Sequence, residues 1–223
     1  MSIGFTFNDS SGYTSDIDDY LVRREYFSRG GLWTWGYNLY GQLGDNTITD
    51  RSSPGSIIGG DSFSTWKEIG IGGHHTAAIK TDGTLWIWGF NGQGQLGLND
   101  IIYRSTPVQV TGGGTNWKQV SCGQYSTAAI KTDGTLWLWG YNTFGQLGLN
   151  HRIGRSTPVQ VTGGGTNWKQ VASGQFHTVA IKTDGTLWTW GFNGDGQLGD
   201  NTVVTKSSPV QVTGGGTNWK QVY

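Results

Sequence analysis

The sequence is short of the features that mark an enzyme, a secreted protein or a membrane protein. It has a single cysteine, Cys122, so no disulfide can form within the chain and an oxidising compartment is not indicated. Only 13% of the residues are charged, and fifteen Lys and Arg balance fifteen Asp and Glu. With no net charge and no basic run, nothing draws the chain to nucleic acid or to an anionic membrane, and neither is expected as a partner. No apolar stretch approaches the roughly 20 residues that cross a bilayer. The first residues, MSIGFTFNDSSGYTSDIDDY, have neither the basic nor the apolar region of a conventional signal peptide. A soluble chain is expected.

Catalytic patterns are missing too. The four histidines, His74, His75, His151 and His177, form no HExxH, no paired CxxC is present, and no phosphate loop of the GxxxxGK[ST] form occurs. The acidic string SDIDDY lacks the spacing of a calcium loop. Residues equivalent to Cys122 in the neighbouring repeats are Ile71 and Ser173, which fits a strand position that accepts different side chains better than a nucleophile. No catalytic residue, metal site or cofactor is expected, and the chain reads as a non-enzyme.

What the sequence has in abundance is glycine, 39 residues, and aromatic side chains, with 12 Trp, 9 Tyr and 8 Phe. That composition suits short strands joined by tight turns. Trp66, Trp117, Trp168 and Trp219, each followed by Lys, recur every 51 residues, and the pairs Trp86/Trp88, Trp137/Trp139 and Trp188/Trp190 keep the same period. After each pair comes Gly, an aromatic residue with Asn, and then GQLG: WGYNLYGQLG, WGFNGQGQLG, WGYNTFGQLG and WGFNGDGQLG. A period near 50 built of short strands and glycine turns is that of a propeller blade. The expected fold is therefore all-β, a β-propeller of four four-stranded units of about 51 residues each.

Within a unit, PVQV reads as the first strand and WKQV as the second, while TAAIK and TLWLWG form a hairpin across Asp133-Gly134. Alternation along LWLW places Trp137 and Trp139 on one face and Leu136 and Leu138 on the other, so both faces are apolar, as a blade between two neighbours requires. The Trp pairs are expected to be inter-blade core. Gln42, Gln95, Gln146 and Gln197 of GQLG are expected to satisfy backbone groups between blades. The units are not equally complete. Four copies of LWxWG and four of WK are present, but only three of the strand before KTDG. Aligned on the first Trp pair, REYFSRGG stands where AAIKTDGT stands elsewhere. Tyr20, Leu21, Val22, Tyr26 and Phe27 are thus expected to form a closure strand, pairing within the chain or, in a homo-oligomer, between chains. Residues 1–19 read as a leader, either a flexible tail or an anchor with Phe5, Phe7 and Tyr13 as contact rings, ahead of a repeat domain over 20–223.

The unit WGYNTFGQLGLN…RSTPVQV…WKQVSCGQYSTAAIKTDGTLWLWG resembles the regulator of chromosome condensation repeat family, over essentially Gly30 to Tyr223. The resemblance implies a β-propeller, normally of seven blades with closure shared between the chain ends; this sequence has four units. It also lacks the long insertions with which exchange factors of the family reach a small GTPase. Near-identical arrays of this kind look like those of bacterial proteins and of structural proteins of bacterial viruses.

Differences between the repeats carry the functional reading. KTDG and TGGGTN are each identical in three places, whereas the turn after WKxx reads GHH, QYS and QFH, and the segment after GQLG contains TITD, DIIY, HRIG and TVVT. Because strands alternate in direction, the constant turns share one rim and the variable ones the other. Loops presented by a rigid scaffold are where recognition concentrates. The variable rim, with Tyr40, His74, His75, Tyr103, Tyr125, Phe144, His151, Arg152, Phe176 and His177, is the expected binding surface. The function expected is that of a structural or adhesive subunit of a larger assembly, such as a virus particle or cell surface, with protein partners. A carbohydrate-binding propeller, using the aromatic–Asn pairs Tyr37–Asn38 through Phe192–Asn193 on a surface glycan, is one alternative; a nucleotide-exchange factor is another.

Overall fold

The computed structural model describes residues 4–7, 31–58, 66–110, 112, 114–214 and 216–223. Among the described residues fifteen strands make up four successive sheets, each joined by antiparallel pairing between neighbours. The first sheet contains β1 (Gly4–Phe7), β2 (Leu32–Gly36) and β3 (Arg51–Ser56). The second contains β4 (Trp66–Ile71), β5 (His75–Lys80), β6 (Leu85–Gly89) and β7 (Arg104–Gln109). The third contains β8 (Trp117–Cys122), β9 (Ser126–Lys131), β10 (Leu136–Gly140) and β11 (Arg155–Gln160). The fourth contains β12 (Trp168–Ser173), β13 (His177–Lys182), β14 (Leu187–Gly191) and β15 (Lys206–Gln211). All-β architecture and four repeat units match the expectation, three of the sheets having four strands and the first three.

The phase of the unit differs from the one expected. The PVQV strand pairs with the Trp strand that precedes it, Leu138 facing Val159 and Gly140 facing Arg155, so it closes a blade rather than opening one. The bulge between Leu138 and Gly140 allows the long GQLG loop to return the chain to the same sheet. WKQV then opens the next blade, and TGGGTN is the crossover between blades. β4 packs on β8 and β8 on β12, which places the WKQV strands side by side along the inner edge of the array. A glycine is used there: a Cβ on Gly70 would stand 3.2 Å from the carbonyl oxygen of Val120 in the next blade. The Asp-Gly hairpin is as expected. Gly83, Gly134 and Gly185 have φ near +80°, and Asp133 Oδ1 accepts from the Thr135 backbone N–H at 2.9 Å.

Each core lies between two blades rather than within one. Leu136, Leu138, Leu147 and Ile130 of the third blade pack against Trp168, Val171, Ala180 and Trp190 of the fourth, and the same arrangement joins the second blade to the third. In the second, third and fourth blades the second Trp of the pair is fully buried in it: Trp88, Trp139 and Trp190 have no exposed surface. Their indole N–H groups donate to the backbone carbonyls of Gln42, Gln95 and Gln146 in the preceding blade at 2.8–2.9 Å. The first Trp of each pair is half-buried beside the constant rim, where Lys80, Lys131 and Lys182 lie over Trp86, Trp137 and Trp188 at 4.1–4.3 Å.

The place beside β2 expected for Tyr20–Phe27 is taken by Gly4–Phe7, with Phe7 opposite Leu32 and Gly4 opposite Trp35. This is the register in which Ile79 faces Leu85 and Thr76 faces Trp88 in the second blade. Tyr20, Leu21, Val22, Tyr26, Phe27 and Tyr13 lie outside the described residues. Phe5 and Phe7, expected as anchor rings, are strand residues of the first sheet.

Candidate functional site

Strand order puts the turns after β4, β8 and β12 on the same rim as the GQLG loops, and the constant turns on the opposite rim, as expected. On the variable rim the aromatic side chains of successive blades touch. Tyr40 lies 5.0 Å from Phe90, 5.6 Å from Tyr103 and 5.2 Å from His74. Phe90 and Tyr103 are 4.8 Å apart, and Tyr125 links this group to Tyr141 at 6.2 Å. Beyond Tyr141, Phe144 meets Phe176 at 5.0 Å and Phe192 at 5.1 Å. One band of edge-to-face and tilted rings therefore runs from Tyr37 to Phe192 across all four blades. Most of its rings are half-buried and Tyr103 is exposed.

The loops that carry the band are held from inside. Asn142 is buried; its Oδ1 accepts from the Leu147 backbone N–H, and its Nδ2 donates to the carbonyls of His151 and Ile153 at 2.9 and 3.0 Å. Asn38, Asn91 and Asn193 make the corresponding bonds. The Asn amide thus closes its own loop, leaving only the ring beside it available to a ligand. The GQLG glutamines differ from the expectation. Their Oε1 atoms accept from the backbone N–H two residues earlier in the same loop, as Gln42 does from Tyr40 at 2.9 Å, and it is their main-chain carbonyls that reach across to the next blade.

Ion pairs brace the outer part of these loops. Asp45 pairs with Arg51, Asp100 with Arg104 and Asp200 with Lys206. In the third blade His151 takes this place, its Nδ1 accepting from Ile153 N–H and its Nε2 standing 3.0 Å from Arg155. His151 is a brace rather than a free rim group, whereas the neighbouring Arg152 is exposed. Beyond the braces, each loop tip exposes an aliphatic side chain: Ile48 and Ile101 at 64%, Ile153 at 65% and Val203 at 67%. The sequence reading missed these knobs. Their signal was a β-branched residue four positions after GQLG in three units, Ile48, Ile101 and Val203, and five positions after it in the third, Ile153.

Two of the expected rim residues are placed otherwise. His75 opens β5 and is fully buried, its Nε2 lying 2.9 Å from Thr127 Oγ1 of the next blade. Burial, helped by the neighbouring His74, pushes it down to about 3. Gly72 leaves room for the ring, because a Cβ there would stand 2.7 Å from His75 Cε1. His177, the equivalent residue of β13, is half-buried against Gly174, and desolvation lowers its pKa as well. Tyr40, His74, Tyr103, Tyr125, Phe144 and Phe176 are the expected rim residues that the fold gathers into one surface. Among the described residues no group of His, Cys, Asp and Glu could hold a metal ion, and no helix is long and apolar enough to cross a membrane. Cys122 is buried and its thiol is pushed well above the usual range by desolvation.

Comparison with known proteins agrees with this geometry. The model described as regulator of chromosome condensation (RCC1) repeat matches residues 29–79, 82–130, 133–181 and 184–223. The chain belongs to the RCC1 repeat family. Among RCC1-repeat relatives, the chain is 35% identical to the ultraviolet-B receptor UVR8 of Arabidopsis thaliana, over 82% of this chain and 42% of that protein. It is 33% identical to the mitochondrial RCC1 domain-containing protein RUG3 of the same plant, over 82% and 43%. The chain therefore spans less than half the length of these relatives. Of solved structures, human WBSCR16 is similar with a TM-score of 0.75 at 24% identity, over 85% of this chain and 50% of that one. Prp20p of Saccharomyces cerevisiae is similar with a TM-score of 0.72 at 20% identity, over 83% and 47%. These last two likenesses concern the fold.

Proposed function

We propose that this RCC1-repeat chain is a non-enzymatic recognition subunit of a larger assembly that binds a protein partner through its variable rim. The observation that carries the reading is the ring band from Tyr37 to Phe192, bordered by Ile48, Ile101, Ile153 and Val203. Aromatic rings set rigidly on a scaffold lose little entropy when they bind, and a solvated apolar patch is where partners dock. The Asn cages support the reading further, since they hold the loops that present the band before any partner arrives.

The test is capture from the assembly in which the chain resides, comparing the unaltered protein with one carrying Tyr103, Tyr125, Phe144 and Phe176 as alanine. A second variant, with Lys80, Lys131 and Lys182 as alanine, alters only the opposite rim. Loss of partner in the first and retention in the second is expected. Partner capture unaffected by the first variant refutes the rim as the binding surface. A virus particle or a cell surface would suit such a subunit, and the copurifying partner identifies the setting. A glycan-binding reading has the exposed rings in its favour but not the Asn side chains, which are consumed inside the loops. The nucleotide-exchange reading rests on fold likeness to the Saccharomyces cerevisiae protein Prp20p, whose structure was reported with its binding to Gsp1p and histones. It requires accelerated nucleotide release from a small GTPase.

A further inference from the structure

Each inner strand carries one lysine that the fold neither buries nor pairs. Lys67, Lys118 and Lys169 follow the tryptophans that open β4, β8 and β12, and all three are exposed. Each stands in a β-bulge. Trp117 lies opposite Lys131 and Gln119 opposite Ile130, so Lys118 has no residue facing it across the sheet. Lys67, between Trp66 and Glu68, and Lys169, between Trp168 and Gln170, are placed in the same way. A bulge of this kind re-aims the side chain of the extra residue. The same irregularity with the same side chain in three blades puts one charge per blade at equivalent places. Lys220 continues the row, because Val222 N–H donates to Gln170 Oε1 as Val171 N–H does to Gln119 Oε1, which sets the residues after Trp219 beside β12.

The other charges of this rim are engaged. Lys80, Lys131 and Lys182 each lie over the rings of two tryptophans, at 4.1–5.0 Å. Asp82, Asp133 and Asp184 accept through Oδ1 from the backbone N–H and the hydroxyl of Thr84, Thr135 and Thr186. Among the described residues the bulge lysines make no hydrogen bond and no ion pair. The third and fourth blades each place two lysines and one aspartate on the constant rim, which is cationic there although the chain as a whole is neutral. On the variable rim the charges cancel in pairs, Asp100 with Arg104 and Asp200 with Lys206.

Protection of a bare sheet edge does not account for the row. The inner edge of β8 is already closed by side chains. Gln119 Nε2 donates to the Val171 carbonyl at 3.2 Å, its Oε1 accepts from Val171 N–H at 3.1 Å, and Ser121 Oγ accepts from Ser173 N–H at 3.0 Å. Neighbouring inner strands approach within 8 Å, Cα to Cα. The residue before each lysine is fixed as well: the backbone N–H groups of Trp117 and Trp168 donate to the carbonyls of Gly83 and Gly134 in the preceding hairpin at 3.1 and 3.0 Å. The lysines are therefore free charges on a rigid mount.

We infer that the lysine row binds an extended acidic peptide segment of a partner protein, at a second surface independent of the variable rim. Side chains on one face of an extended chain recur about every 7 Å, a step that the spacing of the inner strands can match. Alternate Asp or Glu residues then meet one ammonium group per blade. Lysine suits this use, since a point charge on a flexible stem follows a carboxylate without demanding a fixed geometry. The row fits a polypeptide better than a nucleic acid strand. Binding of single strands without sequence preference uses aromatic faces on which bases stack, and the rings next to these lysines, Trp66, Trp117 and Trp168, are only 1–3% exposed.

Fluorescence anisotropy of a labelled peptide of alternating Glu and Ser, titrated with the 223-residue chain at low salt, tests this. Saturable binding that weakens as salt is added is expected. Replacing Lys67, Lys118, Lys169 and Lys220 by Gln should weaken it about tenfold with unchanged circular dichroism, whereas replacing the same four by Arg should retain it. The alanine variant of Tyr103, Tyr125, Phe144 and Phe176 should bind the peptide as the unaltered chain does, so this surface and the variable rim stand or fall separately. Lys118→Glu, in the middle of the row, should weaken binding more than Lys118→Gln and decides the matter if the fourfold variant does not fold. Absence of binding to the unaltered chain overturns the inference. So does equal binding by the substituted chains, or tighter binding of an oligothymidylate of the same charge as the peptide.

Discussion

Acidification should destabilise this protein most through His75, the most deeply buried of its histidines, before its carboxylates titrate. Thr127 Oγ1 donates its only proton to the carbonyl of Gln95 at 2.8 Å, so toward His75 it can only accept, and the imidazole must carry its proton on Nε2. His75 Nδ1 is buried without a partner among the described residues. Protonating it would create a buried cation with an unanswered N–H. This is why the folded value lies at about 3 against an ordinary 6.5. Below pH 6.5 the unfolded chain takes up a proton that the folded chain refuses, so the His75 contribution is complete above 6.5 and is lost progressively as pH falls toward 3. At 1.36 kcal/mol per pH unit, the loss between pH 6.5 and 4.5 is about 2.7 kcal/mol. The aspartates do not obscure this window. Hydrogen bonds from Thr84, Thr135 and Thr186 hold Asp82, Asp133 and Asp184 below their ordinary range, and their contribution is lost only at lower pH. Urea unfolding followed by tryptophan fluorescence at pH 7 and pH 4.5 measures the effect. His75→Ser is the control, because Ser126 already fills the equivalent position in the third blade, buried. Unaltered protein should lose about 2.7 kcal/mol more than the variant on acidification. Equal losses would show that the burial of His75 does not govern acid stability.

Four further outcomes are expected. Asn142→Ala removes three hydrogen bonds inside a closed loop and should cost about 3 kcal/mol in the same unfolding assay, with faster proteolysis between Leu147 and Arg155. Gly97→Ala, at φ +70° with its Cβ 2.7 Å from Trp139 Nε1, should cost about 2–3 kcal/mol, whereas Gly196→Ala, whose Cβ meets no atom of the described residues within 4 Å, should cost only the backbone strain of about 1 kcal/mol. His151→Asp should stabilise by about 0.5–1 kcal/mol at low salt and less in 1 M salt. An imidazole that accepts from Ile153 at Nδ1 meets Arg155 with a proton on Nε2, while a carboxylate accepts from both, as Asp100 does from Ile102 and Arg104. The four-alanine rim variant should keep its unfolding midpoint far better than a core substitution such as Leu138→Ala, which should cost about 2–5 kcal/mol.

Much of this protein was legible in its residues because the information is local and repeated. The 51-residue period, the Asp-Gly hairpins, the two-faced LWxW strands and the sorting of constant and variable turns onto opposite rims follow from turn chemistry and side-chain alternation alone. Tertiary structure decided what each face meets. WKQV and PVQV look alike as short strands, and only pairing across the bulged GQLG loop assigns PVQV to the preceding blade. His75 and His177 occupy the same place in their repeats, yet Thr127 of a following blade seals one, and the other, in the last blade, stays half-buried. Tyr40 and Phe90 are fifty residues apart in the chain and touch because adjacent blades stack at one spacing. Gly196 carries the same backbone twist as Gly145 and differs in that, among the described residues, no atom lies within 4 Å of a Cβ placed there. Conformation is written in each repeat; the neighbour is not, because it depends on where the repeat stands in the array.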